Sequence, residues 1–491
     1  MSAATDPTPA VDPARAHLAH PRIPRPSRSQ VVTIALTAAA CVGLYYLLPA
    51  SIDELQRRML CIFVVAAVFW AREVLPLFAT SLMVIGLMII ALATEGGLAE
   101  ALPGISAVPE GADIPSTLFL ASFGSNIIIL FMGGFLLSTA LTKHHIDRAI
   151  AAKVLRPFTS SPLLMLYGVL AISAFFSMWM SNTATAAMMI AIIRPILKQL
   201  PNDDRYHRGL VLAVPFGANV GGVGTPIGTP PNAIAFAAIN AAKPGAISFL
   251  DWMLVGVPLA AMLLAGVGLL LYVTHKPGAG LTLPRLDGPK GISWYGYLTI
   301  SILLGAVALW LTGELHGIGA GTVALLAAAA LTALRVLDRH DVDSIDWNIL
   351  ILMWGGLAMG TGIEASGLTR LIADANLAAL PGGLVVVAAV VIFASIGLST
   401  FMSNTATANL IVPIVMAFAL AIGDRVQLAV LCALGCSFAM AMPVSTPPNA
   451  IAFATGEVRA SSLFKLGGLV SLFAGLMLLL GYQLVLPMVL G

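Results

Sequence analysis

The sequence predicts an all-α polytopic membrane protein with about eleven transmembrane spans and two re-entrant hairpins, arranged as two inverted-topology repeats. Three observations predict it. The chain is 59% hydrophobic and only 10% charged, where soluble domains carry about 25% charged residues. Apolar runs recur along its length; each can cross a ~30 Å hydrocarbon core as a helix, and none shows the alternation of a barrel strand. Finally, two polar motifs each occur twice: "SNTATA" at 181–186 and 403–408, and "TPPNAIAFA" at 229–237 and 446–454.

Residues 1–30, rich in Pro, Arg and Ala, read as a disordered cytoplasmic tail. No short apolar core with a cleavage site follows, so the run 31–50 reads as an anchor. The segment 31–116 holds spans near 31–50, 59–71 and 74–93. Residues 117–275 form the first repeat, with a span at 117–141, a hairpin at 162–197, a broken helix at 208–240 and a span at 252–274. Residues 276–344 connect through spans at 294–312 and 317–335. Residues 345–491 form the second repeat, with a span at 346–363, a hairpin at 384–421, a broken helix at 427–456 and a span at 462–489.

Loop charge orients this layout. With the tail inside, 20 of the 25 Lys and Arg fall in inside segments. Only Arg57, Arg58, Lys243, Arg370 and Arg425 fall outside. The positive-inside rule then places the N-terminus in the cytoplasm and the C-terminus outside the cell (inner) membrane.

The repeats align by constant offsets. Gly133-Gly134 matches Gly355-Gly356, and Ser181 matches Ser403, both at 403 − 181 = 222. Thr229 and Thr446 differ by 446 − 229 = 217, so one connection is five residues shorter. The span count inverts one repeat relative to the other, a pattern of secondary transporters with a site near the midplane.

Each SNT segment fits the tip of a hairpin, since Ser, Asn and Thr side chains cap helix N-termini. Irregular backbone at membrane depth requires protein or a cavity around it. Pro230-Pro231 and Pro447-Pro448 break the helices at Thr229 and Thr446. Asn232 and Asn449 can start the next half-helix. Gly221, Gly222, Gly224 and Gly228 loosen the first break, and Ser445 stands where Gly228 does.

The polar groups at these four breaks are neutral. Helix N-termini attract anions, whereas carbonyls and side-chain oxygens suit a hard cation such as Na⁺. The pattern therefore predicts two cation sites flanking one anionic substrate. The plain alternative is that Ser, Thr and Asn bind helices together. Pairing of each SNT with a Pro-Pro break in an inverted repeat favours a site. The Gly-Gly pairs read instead as close packing. Cys432 and Cys436 share a helix face, but no further ligands lie nearby, so all four cysteines, with Cys41 and Cys61, read as packing.

The doubled SNT and Ser/Thr-Pro-Pro-Asn patterns resemble the divalent anion:sodium symporter family of dicarboxylate, citrate and sulfate carriers, over nearly the whole chain beyond the tail. The resemblance implies a homodimer in which a scaffold, including 31–116, holds a domain that moves elevator-fashion. It implies that Asn182, Thr183, Asn404 and Thr405 contact substrate carboxylates, with Thr229, Thr446 and Pro447. One sodium would lie among Ser177, Ser181, Asn182 and Gly228, the other among Ser399, Met402, Asn404 and Ser445. The expected function is sodium-coupled symport of C4-dicarboxylates. Alternatives are a sodium-independent exchanger of the same fold, or a symporter for citrate or sulfate. Sodium is the co-transported ion. No organic cofactor and no nucleic acid are expected, and the bilayer is the surrounding partner.

Amphipathic stretches at 143–158 and 366–380 can lie in the interface as helices, and the family uses such arms to join scaffold and moving domain. His144 and His145 are expected there. A channel is a rival reading, since channels also use inverted repeats. An intramembrane enzyme is another, but no His or Lys at the depth of Ser177 or Ser181 can activate a nucleophile. No HExxH motif is present either.

Overall fold

The structure, a computed structural model, describes residues 27–95, 113–200, 205–278, 281, 283, 291–373, 383–422 and 425–490. The tail up to residue 26, most of the loop 95–116 and the latter part of the 366–380 stretch lie outside these residues.

The described residues are almost entirely helical. Helix α1 (Arg28–Leu47) starts at a Ser27 capping box. Helices α2 (Glu54–Arg72) and α3 (Leu77–Leu92) follow. In the first repeat, α4 (Asn126–Lys143) begins at a Ser125 cap, and a left-handed His145 at φ 53° turns the chain into α5 (Ile146–Leu155). Two 16-residue helices come next, α6 (Pro162–Ser177) and α7 (Asn182–Leu197). At 1.5 Å per residue each reaches only about 24 Å, short of a full crossing. The broken helix is α8 (Arg205–Gly222) with α9 (Pro230–Ala242), and α10 (Phe249–Thr274) closes the repeat.

The connection contributes α11 (Trp294–Leu311) and α12 (Ala320–Ala333). The second repeat runs α13 (Trp347–Ala365), α14 (Leu368–Ala373), α15 (Gly383–Phe401), α16 (Asn404–Ile422), α17 (Arg425–Ser437), α18 (Pro447–Ala454) and α19 (Ala460–Leu484). Seven helices among the described residues are long and apolar enough to cross a membrane. The chain is an all-α polytopic membrane protein.

The two halves are interlocked. Helix α12, from the connection, packs against α4, while α3, from the N-terminal segment, packs against α13. The Gly-Gly pairs make these approaches possible. A Cβ on Gly133 would stand 2.6 Å from the Ala324 carbonyl oxygen, and one on Gly355 would overlap Ser81. The same exchange recurs deeper in the core. Helix α9 packs on α16 and α17, and α18 packs on α7 and α8. The second half of each broken helix thus rests on the opposite repeat.

Each break is held by a buried asparagine. Asn232 Nδ2 donates to the carbonyls of Gly222 (3.0 Å) and Thr225 (2.8 Å). Asn449 Nδ2 donates to those of Met440 (3.0 Å) and Met442 (3.1 Å). Helix ends leave carbonyls without partners, and buried ones require them. The half-helices themselves begin at Pro230 and Pro447. The asparagines sit two residues further in and reach back, rather than starting the helix.

Candidate functional site

The two SNT tips have nearly the same geometry. Ser181 caps α7, its Oγ accepting from Ala184 N at 3.2 Å, and Ser403 caps α16 from Ala406 N at 3.1 Å. Ser177 Oγ donates to Asn182 Oδ1 in a short hydrogen bond, and Ser399 Oγ donates to Asn404 Oδ1 at 2.8 Å. The 222-residue offset seen in the sequence is therefore a repeated side-chain constellation. Ser177 and Ser399 are fully buried, whereas Asn182 and Asn404 are half-buried.

The break packs directly against the tip in each repeat. In the first, a Cβ on Gly222 would stand 2.6 Å from Asn182 Oδ1, and one on Gly228 would stand 2.9 Å from the Ser177 carbonyl oxygen. Ser177, Asn182 and Gly228 are thus brought together, with Ser181 at the cap. In the second, Ser445 Oγ donates to the Thr400 carbonyl at 2.9 Å, and Ser399 Oγ is also within 2.8 Å of the Cys436 carbonyl. Ser399 and Asn404 pair directly, and Ser445 reaches the backbone of the residue after Ser399. Met402 is half-buried, and its N–H is spent on Leu398 O at 3.0 Å.

The tips are fastened by different donors. Thr225 Oγ1 donates to the Met178 carbonyl at 2.5 Å. Met178 and Thr400 are equivalent by the offset 400 − 178 = 222, yet the second repeat uses Ser445, the counterpart of Gly228. Thr225 escaped the sequence reading because its counterpart by the 217 offset is Met442.

Four helix N-termini meet this region, and they are not alike. Helices α9 and α18 begin with two prolines, which carry no N–H. Helices α7 and α16 begin with Asn-Thr, and the N–H groups of Asn182, Thr183, Asn404 and Thr405 have no backbone partner among the described residues. Among the described residues, free helix-start N–H groups, of the kind that attract anions, therefore occur at the hairpin tips. The breaks offer hydroxyls and carbonyls instead. Thr183 is exposed and Thr405 half-buried, while Thr229 and Thr446 are buried and Pro447 is exposed. Among the described residues no hydrogen bond joins Asn182 to Asn404. The repeats meet through Asn219 on α8, whose Nδ2 donates to Thr446 Oγ1 at 3.0 Å. Asn219 was absent from the residues singled out in the sequence. A fully buried amide within an apolar span is itself a functional signal.

Two cavities flank these elements. The smaller, about 410 Å³, reaches Ser181 and Ala184 and is lined by Thr139, Lys143, Asp341 and Asp346. Lys143 bridges Asp341 and Asp338, the latter at 2.9 Å. That ammonium holds the exposed Asp338 carboxyl below its ordinary range. The larger, about 680 Å³, lies between α4, α9, α11 and α12 and includes no tip residue. It is mostly apolar. His144 and His145 lie at the turn after α4, where His144 Nε2 is 3.2 Å from the Val336 carbonyl oxygen.

A family model described as citrate transporter (CitMHS) matches residues 67–435. An uncharacterised transporter of Haemophilus influenzae is 34% identical over 377 residues, covering 72% of this chain and 79% of that protein. The sodium-dependent dicarboxylate transporter SdcS of Staphylococcus saprophyticus is 30% identical over 481 residues, covering 90% and 88%. Its namesake in Staphylococcus aureus is 30% identical over 463 residues, covering 87% and 85%. The crystal structure of the Alcanivorax borkumensis YdaH transporter superposes with a TM-score of 0.59 at 15% identity, over 84% of this chain and 99% of that one. That last likeness is one of fold. The chain belongs to the citrate transporter family, as a membrane transporter of the divalent anion:sodium symporter type.

Proposed function

We propose that the protein is a sodium-coupled symporter of C4-dicarboxylates of the succinate, malate and fumarate type, working across the cytoplasmic membrane. The observation that carries this reading is the duplicated tip. Each supplies two N–H groups at a helix start, without a backbone partner among the described residues, beside a cluster of neutral oxygens. Two such tips suit a dianion with a carboxylate at each end. Without Lys or Arg at the tips, the compensating charge comes from cations held by the oxygens. The relatives named as sodium-dependent dicarboxylate transporters support the same assignment.

In this reading Asn182, Thr183, Asn404 and Thr405 bind the carboxylates, helped by Thr229, Thr446 and Pro447. Sodium binds among Ser177, Ser181, Asn182 and Gly228, and again among Ser399, Met402, Asn404 and Ser445. The protein works as a homodimer whose inner elements, α6–α9 and α15–α18, move against the remainder. Its N-terminus is cytoplasmic and its C-terminus outside. The description of the matching family model favours citrate as a second substrate.

Thermal unfolding of the purified protein tests the site. A ligand that binds only the folded state raises its stability by mass action. Succinate stabilises the protein in sodium and has no effect in choline at equal ionic strength. Equal stabilisation in both salts would instead favour the sodium-independent exchanger. Stabilisation by citrate but not succinate would shift the substrate to the tricarboxylate.

A further inference from the structure

Asn219 carries a role beyond joining two helices. It lies on α8, one turn before the break, and is 1% exposed. Its Nδ2 donates to Thr446 Oγ1 at 3.0 Å and to Asn449 Oδ1 at 3.3 Å. The surrounding bonds fix which way the amide points. Asn449 has committed its own Nδ2 to two carbonyls, so its Oδ1 is what faces Asn219, and that atom only accepts. Asn219 must therefore present its NH2 group. Its Oδ1 is buried with no hydrogen-bond partner among the described residues.

The consequence falls on Thr446. Its Oγ1 also accepts from Asn449 N at 3.3 Å, as the cap of α18. A hydroxyl has two lone pairs and one proton. Asn219 and the Asn449 N–H engage both lone pairs, so only the proton is left to give. It has no acceptor among the described residues. Such a hydroxyl can donate and cannot accept, which is the polarity a carboxylate requires.

Among the described residues the first repeat lacks this device. Thr229 makes no side-chain cap bond. Gly217 packs on Leu170 and Ser173 as Gly435 packs on Ile392 and Ser395, so α8 and α17 superpose with the offset 435 − 217 = 218. The counterpart of Asn219 is then Ser437, whose Oγ donates back to the Ala433 carbonyl at 3.1 Å.

We propose that Asn219 is a positioning residue of the anion site: it locks the Thr446 hydroxyl as a hydrogen-bond donor to a substrate carboxylate and makes the two Thr-Pro-Pro breaks unequal. This rests on the proposed transport of an anion at the tips. The test is a double-mutant cycle on substrate affinity. Wild type, Asn219→Ala, Thr446→Val and the double variant are reconstituted into proteoliposomes. Initial uptake of radiolabelled succinate, malate, citrate and sulfate is measured, each separately, under an inward sodium gradient.

Each single variant raises the half-saturating anion concentration about tenfold or more, the loss of one hydrogen bond to a charged group, and changes the maximal rate less. The double variant is no worse than the poorer single one, because Asn219 acts through Thr446. Independent, multiplying effects in the double variant would overturn the assignment while leaving the transport reading intact. A wild type that takes up none of the four anions overturns the transport reading, and with it the carboxylate that Thr446 is said to meet. If Asn219→Ala fails to reach the membrane, Thr446→Val is compared with Thr229→Val. A several-fold larger loss of affinity in Thr446→Val supports the inequality, and equal losses contradict it.

Discussion

Gly222 and Asn182 are in such close contact that a methyl group on the glycine would stand 2.6 Å from the asparagine Oδ1. The obstacle is the end of a side chain, so the fold can accommodate it by moving that side chain. Gly222→Ala is therefore expected to leave the protein in the membrane with a melting temperature near that of wild type. It displaces Asn182 from Ser177 and raises the sodium concentration for half-maximal uptake at least several-fold. Unchanged sodium dependence in this variant would remove Asn182 from the cation site.

The asparagines themselves give the sharper result. Asn182→Ala and Asn404→Ala each delete an oxygen that Ser177 or Ser399 addresses, together with the proposed carboxylate contact. Uptake in either variant falls to the level of empty vesicles while the protein still reaches the membrane, at a stability cost of about 1–3 kcal/mol where a buried serine hydroxyl loses its acceptor. Wild-type-like uptake by one of them would eliminate the corresponding half of the site.

Thr225 and Ser445 fasten the tips from different positions in the two repeats. A neutral hydrogen bond contributes about 0.5–1.5 kcal/mol, which corresponds to roughly a two- to tenfold change in affinity. Thr225→Val and Ser445→Ala are each expected to raise half-saturating sodium by such a factor, with little change in folding. Sodium titrations of substrate-dependent thermal stabilisation measure both. A variant with a wild-type titration would show that its tip needs no fastening.

Much of this arrangement is legible in the sequence, for a physical reason. A polar triplet repeated inside apolar spans has few ways to be satisfied, and Pro-Pro forbids a continuous helix at Thr229 and Thr446. The capping serines stand where a returning helix starts, whereas the Ser177–Asn182 and Ser399–Asn404 pairs, each five residues apart, are expected only through the family resemblance. What the letters hide is exchange between the halves. Asn219 meets Thr446 across 227 residues, and its counterpart is a serine, so comparison of the repeats discards it. Thr225 is hidden in the same way, because Ser445 takes over its task three positions along. The packing of α12 on α4 and of α3 on α13 depends on long-range docking that Gly133 and Gly355 permit but do not specify.

Those glycines make a stability prediction that is independent of transport. A Cβ at Gly133 meets the Ala324 backbone, which cannot swing aside as a side chain does. Gly133→Val and Gly355→Val are expected to cost about 1–3 kcal/mol by overpacking and to lower the melting temperature of the detergent-solubilised protein by several degrees. Gly43→Val, where nothing lies within 4 Å of the added Cβ, serves as the control and melts near wild type. Equal melting of all three would contradict the close approach.

The central claim is that two tips hold one dicarboxylate with sodium beside it. Radiolabelled succinate uptake into proteoliposomes, with and without an inward sodium gradient, tests it most directly. The account predicts accumulation above the external concentration with the gradient and none when choline replaces sodium. Equal uptake in the two media, or uptake only by exchange with preloaded dicarboxylate, would contradict it.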